Sequence, residues 1–254
     1  MSKYWIRAQV LSQDTIGEGI HSLWLQADPV AREAVPGQFV NLYCRESARL
    51  LPRPISICQA DPETGRIRLV YRVAGKGTAE FASCRPGDAL HLMGPLGNGF
   101  PLTSRKALIV GGGIGVPPLL ELAKQLPGEK CLVMGYRSET YLEEELRAAG
   151  ELVLATEDGS KGTQGTVLDA LRVHGLSADI LYACGPTPML RALKDYGREK
   201  GIETWLSLEE RMACGVGACL ACVCRSTRVD EHTHVCNKRV CKEGPVFRAE
   251  EVEL

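Results

Sequence analysis

The sequence predicts an antiparallel β-barrel, then a doubly wound parallel-sheet α/β unit, then a short cysteine-rich tail. Three observations predict it. Short β-rich runs occupy residues 4 to about 100, apolar strand patterns alternate with helical ones from there, and beyond about residue 207 the chain loses any clear period and becomes rich in Cys and Gly. With 254 residues and 44% hydrophobic content, the chain can bury one large core or two ordinary ones, which suits two domains with an appendage.

In the first part, "YWIRAQVL", "HSLWLQA", "GQFVNLY", "PISICQ" and "RIRLVYRV" are separated by Gly, Pro, Asp and Asn turn signals. Regular short strands of this kind suggest a closed barrel, with "GTAEFASC" a lone helix inside it. After "GPLGNGFPL" the grammar changes. The strands "KALIVGGG", "EKCLVMGY", "ELVLAT", "DILYACG" and "ETWLSL" are spaced by helical patterns such as 118–125 and 188–199. Such alternation implies a parallel sheet whose ligands sit at the carboxyl ends of the strands. The boundary falls near residue 102. The tail from 207 is too short to bury a core of its own and needs a staple. No internal repeat or low-complexity tract interrupts the pattern.

Lys and Arg number 30 against 31 Asp and Glu, so no long-range basic field draws the chain to nucleic acid or anionic lipid. The opening "MSKYWIRAQVLSQDT" has no apolar core of a signal peptide, and no apolar run approaches the roughly 20 residues that span a bilayer. A cytoplasmic protein, without membrane or nucleic-acid partners, is expected. Thiols stay reduced there, so 11 cysteines, an odd number, point to metal or redox chemistry rather than a disulfide framework; six of them lie between 214 and 241.

Cys214, Cys219 and Cys222 give C-x4-C-x2-C, the spacing by which plant-type ferredoxins grip a [2Fe-2S] cluster with a fourth cysteine from farther along. Gly215, Gly217, Ala218 and Ala221 leave room for the loop to wrap closely and aim backbone N–H groups at the cluster sulfurs. A structural zinc site drawn from Cys219, Cys222, His232, His234, Cys236 and Cys241 is the plainer alternative, but zinc explains neither the four-residue gap nor the glycines. The fourth ligand is open among Cys224, Cys236 and Cys241. Cys224 lies only two residues after Cys222, so its side chain is expected to point away.

"GGGIG" follows the strand "KALIV" and precedes the helical "PPLLELA", so a pyrophosphate could approach the backbone at Gly111, Gly112, Gly113 and Gly115. Pro117 and Pro118 stand where the Rossmann fingerprint has its last glycine, and in isolation a plain tight turn explains the run equally well. In the barrel, "RPIS" puts the Arg53 guanidinium and Ser56 hydroxyl on one strand, suited to a phosphate and a flavin ring edge. "GKGT" opens the lone helix with bare N–H groups and a Thr able to cap. Each has a bland counterpart, a surface charge by a proline turn or a hairpin turn; together they favour a dinucleotide. "CGP" ends the fourth parallel strand, where Cys184 is either core packing or a nicotinamide neighbour.

Together "RPIS", "LVYRVAGKGT", "GPLGNGF", "GGGIGVPPLL", "ACGPTPML" and "EERMACGVGACLACVC" resemble the ferredoxin-NADP reductase-like flavoproteins, and more narrowly the electron-transfer subunits of type B, NAD-linked dihydroorotate dehydrogenases. The resemblance covers nearly the whole chain and is most specific in the cysteine tail. It implies an FAD-binding barrel over 1–102, an NAD-binding domain over 103–206 and a [2Fe-2S] segment over 207–254. It assigns Arg53, Pro54, Ile55, Ser56, Val70, Tyr71, Arg72, Gly77 and Thr78 to FAD, and Gly111, Gly112, Gly113, Gly115, Cys184 and Gly185 to NAD. The family's last cluster cysteine precedes G-P-V-F, so "VCKEGPVF" gives the metal ligands as Cys214, Cys219, Cys222 and Cys241, with Cys236 an extra thiol.

"GYRSE" ends the second parallel strand, where NADP enzymes place basic residues for the 2′-phosphate. Arg137 could serve, Glu139 and Glu143, Glu144 and Glu145 would oppose, and NAD is read mainly from the resemblance. The resemblance further implies that electrons from dihydroorotate oxidation arrive from the FMN of a separate catalytic subunit, pass [2Fe-2S] and FAD, and leave as NADH, in pyrimidine (UMP) biosynthesis. Two of each chain would form a heterotetramer. No acid–base dyad or nucleophile is required, and the tail is expected to pack on the body and face the partner. Two other functions stay open: the same fold serving a hydrogenase, sulfur reductase or bifurcating transhydrogenase, and a zinc-stabilised binding module with a degenerate nucleotide fold.

Overall fold

The computed structural model describes residues 2–229 and 234–254. His232, a candidate zinc ligand, lies outside the described residues. Strands β1 (Tyr4–Gly17), β2 (Ile20–Gln26), β3 (Phe39–Tyr43), β4 (Arg53–Asp61), β5 (Arg66–Arg72) and β6 (Ala89–Leu96) close an antiparallel barrel in the order β1-β2-β5-β4-β3-β6. Its interior follows from alternation: Leu23 and Leu25 of β2, Ile67, Leu69 and Tyr71 of β5, and Leu90 and Leu92 of β6 recur at every second residue and point inward. Helices α1 (Asp28–Glu33) and α2 (Lys76–Ala82) fill the connections. Neither β6 nor α1 was visible in the sequence pattern. Gly94 of β6 pairs with Tyr4 of β1, which closes the barrel.

The second unit interleaves β7 (Ala107–Gly112), β8 (Lys130–Tyr136), β9 (Glu151–Thr156), β10 (Thr163–Gln164), β11 (Ile180–Cys184) and β12 (Glu203–Ser207) with α3 (Pro117–Gln125), α4 (Glu143–Ala149), α5 (Val167–Val173) and α6 (Thr187–Lys200). Each residue of β7 is buried, as a central strand covered on both faces requires. Two prolines start α3, where a missing N–H costs nothing. Thr166 and Asp169 cap α5 reciprocally, and α6 buries Leu190, Leu193, Tyr196 and Gly197 along one stripe.

The tail forms a hairpin, β13 (Val223–Arg225) with β14 (Asn237–Arg239), and then β15 (Val246–Arg248), which lies antiparallel on β12 and completes the sheet order β10-β9-β8-β7-β11-β12-β15. One face of the sheet packs with Ile20, Val70 and Phe100 of the barrel. The other buries Leu108, Val110 and Val133 with Phe39 and Leu96 of the barrel and Cys222, Val240, Cys241 and Phe247 of the tail. The tail therefore shares its core with both units.

Asn98 stitches it down. Its Nδ2 donates to the carbonyls of Glu243 at 3.0 Å and Val246 at 2.9 Å, its Oδ1 accepts the Val246 N–H at 3.0 Å, and its own N–H donates to the Gly244 carbonyl at 2.7 Å. No helix among the described residues is long and apolar enough to cross a membrane.

Candidate functional site

The chain passes from β7 to β8 on one side and later returns to β11 on the other, so the topological switch point lies between β7 and β11, where open α/β sheets take ligands. Both predicted nucleotide segments end there. Gly111 and Cys184 are paired neighbours in the sheet, and the Gly113–Gly115 turn lies so close to β11 that a Cβ on Gly115 would overlap the backbone of Cys184 and Gly185. Met189 of α6 packs between Gly112 and Gly185. A Cβ on Gly113 would meet nothing, so the turn leaves open space beside this residue. Burial pushes the Cys184 thiol up to about 12 despite a hydrogen bond with Ser207, so it stays protonated and is no nucleophile.

Sequence reasoning missed Tyr141. Its hydroxyl donates to the Gly113 carbonyl at 2.6 Å and lies within electrostatic reach of Arg72 on β5. Tyr141 is itself held by the Tyr136 hydroxyl, which donates to its carbonyl at 2.8 Å. Beside it, Ile114 packs into the apolar cluster containing Val70, so the nucleotide turn abuts the barrel strand that carries Val70 and Arg72. No sequence pattern marks Tyr141, since a tyrosine before an acidic helix is ordinary.

On the barrel, Arg53, Pro54, Ile55 and Ser56 open β4 and are all half-buried. Arg53 donates to the Leu51 carbonyl at 2.6 Å and lies along the start of α2, where a methyl on Gly77 would come within 2.5 Å of its Nε. The two barrel motifs thus form one patch, with a guanidinium beside helix-start N–H groups, an arrangement that fits a phosphate. Thr78 caps the helix start as expected, from the third position of α2: its hydroxyl accepts the N–H groups of the N-cap Gly75 at 3.2 Å and of Ala74 at 2.9 Å, which also braces the loop. The Tyr71 side chain is buried inside the barrel, and its hydroxyl accepts from Gln13 at 3.1 Å, so only its backbone faces the site.

Two of the acidic residues after β8 are ion-paired. Glu139 accepts the Glu18 N–H at 2.7 Å, Glu143 pairs with Arg147 at 2.8 Å and Lys161 at 2.5 Å, and Glu145 pairs with Arg68. Glu143 and Glu145 are thus paired with cations, while Glu139 keeps its charge and still opposes a 2′-phosphate.

The cysteine loop carries three N–H groups aimed at one sulfur: Val216 at 3.4 Å, Ala218 at 3.3 Å and Cys219 at 3.4 Å from Cys214 Sγ. Gly217 donates to Cys241 Sγ at 3.1 Å and Cys241 to Cys222 Sγ at 3.4 Å. Burial alone would raise the Cys214 thiol, but the N–H groups of Val216 and Cys219, the Cys219 side chain and the Ala218 N–H outweigh it and bring it down to about 6. Burial and the adjacent Cys222 push Cys241 up to about 12, although Gly217 donates to it.

These thiols come as two neighbouring pairs, Cys214 with Cys219 and Cys222 with Cys241. Among the described residues no three His, Cys, Asp or Glu side chains gather as a site for one ion. Two pairs with inward-aimed N–H donors fit a binuclear cluster, which takes two thiolates per iron. Cys224 packs against the shared core on β13, while Cys236 and His234 are exposed.

Two family models match segments of the chain. The family model for the iron-sulfur cluster binding domain of dihydroorotate dehydrogenase B matches residues 209–253, and that for the oxidoreductase FAD-binding domain matches 7–100. The dihydroorotate dehydrogenase B (NAD(+)) electron transfer subunit of Geobacillus thermodenitrificans is 48% identical over 258 residues, covering 98% of each chain. The subunit of the same name from Bacillus caldolyticus is 49% identical over the same length and coverage. Among solved structures, an NADH-dependent reduced ferredoxin-NADP oxidoreductase studied for flavin-based electron bifurcation superposes with a TM-score of 0.88 at 32% identity, over 97% of this chain and 89% of that one. The ferredoxin reductase of carbazole 1,9a-dioxygenase, at 22% identity and a TM-score of 0.67 over 80% of this chain and 67% of that one, shares the fold.

Proposed function

This chain belongs to the family of electron transfer subunits of NAD(+)-linked dihydroorotate dehydrogenase B, and from that premise we propose that it carries electrons between NAD and a separate catalytic subunit that oxidises dihydroorotate at an FMN. Its cofactors are FAD and an iron-sulfur cluster, with NAD as the exchanging partner and pyrimidine biosynthesis as the setting. When bound, the flavin supplies conversion between the hydride that nicotinamide exchanges and the single electron a [2Fe-2S] cluster takes.

The chain's own residues hold and orient. We read 1–102, 103–206 and 207–254 as the FAD, NAD and cluster units. Arg53, Gly77 and the start of α2 would receive the FAD phosphates, with Pro54, Ile55, Ser56, Val70, Arg72 and the backbone of Tyr71 along the flavin; Thr78 keeps the loop in shape. Gly111, Gly112, Gly113, Gly115, Cys184 and Gly185 would receive NAD, and Cys214, Cys219, Cys222 and Cys241 the irons. The observation that best supports this reading is the meeting of all three groups on one body: Ile114 packs with Val70, and Asn41 of β3 grips the Cys214 carbonyl at 3.0 Å.

Exposed Cys219, Leu220 and Val223 give the cluster loop an apolar outer face, which supports docking of the catalytic subunit there, two of each chain per complex. The reading puts the protein in the cytoplasm, where its eleven free thiols would stay reduced. The 32% identical ferredoxin-NADP oxidoreductase favours a second reading, service to a bifurcating transhydrogenase.

One experiment separates them: affinity capture of the anaerobically expressed chain, identification of its partner, and assay of NAD+ reduction with dihydroorotate. An FMN protein giving dihydroorotate-dependent NADH is expected. A large flavoprotein partner with no such activity overturns the reading.

A further inference from the structure

Asn41 is fully buried on β3, yet its side chain donates out of the barrel, to the cysteine loop. Its Nδ2 donates to the Cys214 carbonyl at 3.0 Å, its amide also meets the Tyr43 hydroxyl, and its Oδ1 is a buried acceptor with no partner. Gly215, at φ +69°, packs so tightly on this amide that any Cβ there would overlap it. An amide this enclosed costs free energy unless its position serves something.

Two neighbours indicate what. In the sheet Asn41 is paired with Pro54 of β4, and Val40 with Ile55, so it is backed by the strand assigned to the flavin. On its other side it holds the residue whose sulfur collects three N–H donors. One side chain therefore ties the flavin strand to the cluster loop.

We infer that Asn41 is a positioning residue that fixes the cluster loop against the flavin strand and, through its N–H dipole, raises the reduction potential of the cluster. The inference rests on the proposed cluster and flavin assignments. The physical reason is charge: reduction adds a negative charge at the cysteine loop, and a donor held against the Cys214 carbonyl in a water-excluded place stabilises that charge. An apolar residue of the same size removes the donor. A carboxylate of the same shape removes it and adds opposing charge.

The test is a redox titration, followed by visible absorbance and paramagnetic resonance, of the anaerobically purified complex carrying wild type, Asn41→Leu or Asn41→Asp, with iron, sulfide and FAD measured on each. Asn41→Leu is expected to shift the one-electron equilibrium about threefold toward the oxidised cluster, about 28 mV downward at 59 mV per tenfold. Asn41→Asp is expected to shift it about tenfold, about 59 mV, with an altered resonance line shape. Unchanged potentials at full cluster content overturn the inference. Loss of the cluster with FAD retained also overturns it, assigning Asn41 to assembly. Absence of FAD or cluster from the wild type refutes the assignments beneath it instead.

Discussion

A methyl group on Gly115 has nowhere to go, because the backbone of Cys184 and Gly185 already occupies its place. Gly115→Ala must therefore push the nucleotide turn off β11. The expected outcome is a tenfold or greater rise in the Kd for NADH with FAD and iron content retained, and a stability loss of about 1–3 kcal/mol, the usual cost of overpacking. NADH titration and chemical denaturation check both. The cysteines give a second residue-scale prediction. Cys241 accepts the Gly217 N–H and adjoins Cys222, whereas Cys236 is exposed at the hairpin, so Cys241→Ser should abolish cluster assembly and Cys236→Ser should leave iron and sulfide near wild type.

Among elements, the tail depends on β15 and on Asn98. Asn98→Ala would strand backbone groups of Glu243 and Val246 that its side chain now satisfies. At about 1–3 kcal/mol for buried groups left unsatisfied, a loss of about 2 kcal/mol is expected. A chain of this size would show it as a Tm about 4–8 °C lower, with faster amide exchange at 244–248.

Helix α4 gives the pH prediction. Lys161, then Arg147, holds the Glu143 carboxyl below its ordinary 4.5. Because the native value is depressed, this anchoring is present above about 4.5 and is lost as pH falls through the lowered native value. Glu143→Gln should flatten the fall in stability below pH 4.5, read from urea unfolding between pH 3 and 6, and by a modest amount since the pairs are largely in water.

Across the whole molecule, barrel and sheet are locked by Arg68. Its Nε donates to Ser22 Oγ at 2.8 Å, its Nη1 to Gln59 Oε1 at 2.7 Å, and it pairs with Glu145 of α4. Arg68 is 8% exposed, so Arg68→Ala removes packing and leaves polar partners unmet inside the joint. Calorimetry is expected to show one unfolding transition for the wild type and two for Arg68→Ala, with the sheet unit melting first. A wild-type profile would mean that the apolar layer of Val70, Phe100 and the α3 residues holds the units together without it.

The sequence by itself determined the order of architectures, the cluster spacing and the glycine turn, because each is a local demand: period two for strands, fixed gaps for thiols, bare backbone where an anion must approach. Local chemistry could not show that β6 closes the barrel, that β15 leaves the tail to extend the sheet, or that Tyr71 turns inward. Nor could it disclose that Glu143 and Glu145 were already paired with cations, or that Tyr141, Asn98 and Asn41 join the three units. Those outcomes depend on which groups, distant along the chain, share a buried space, and only packing decides which of their hydrogen bonds and charges are satisfied.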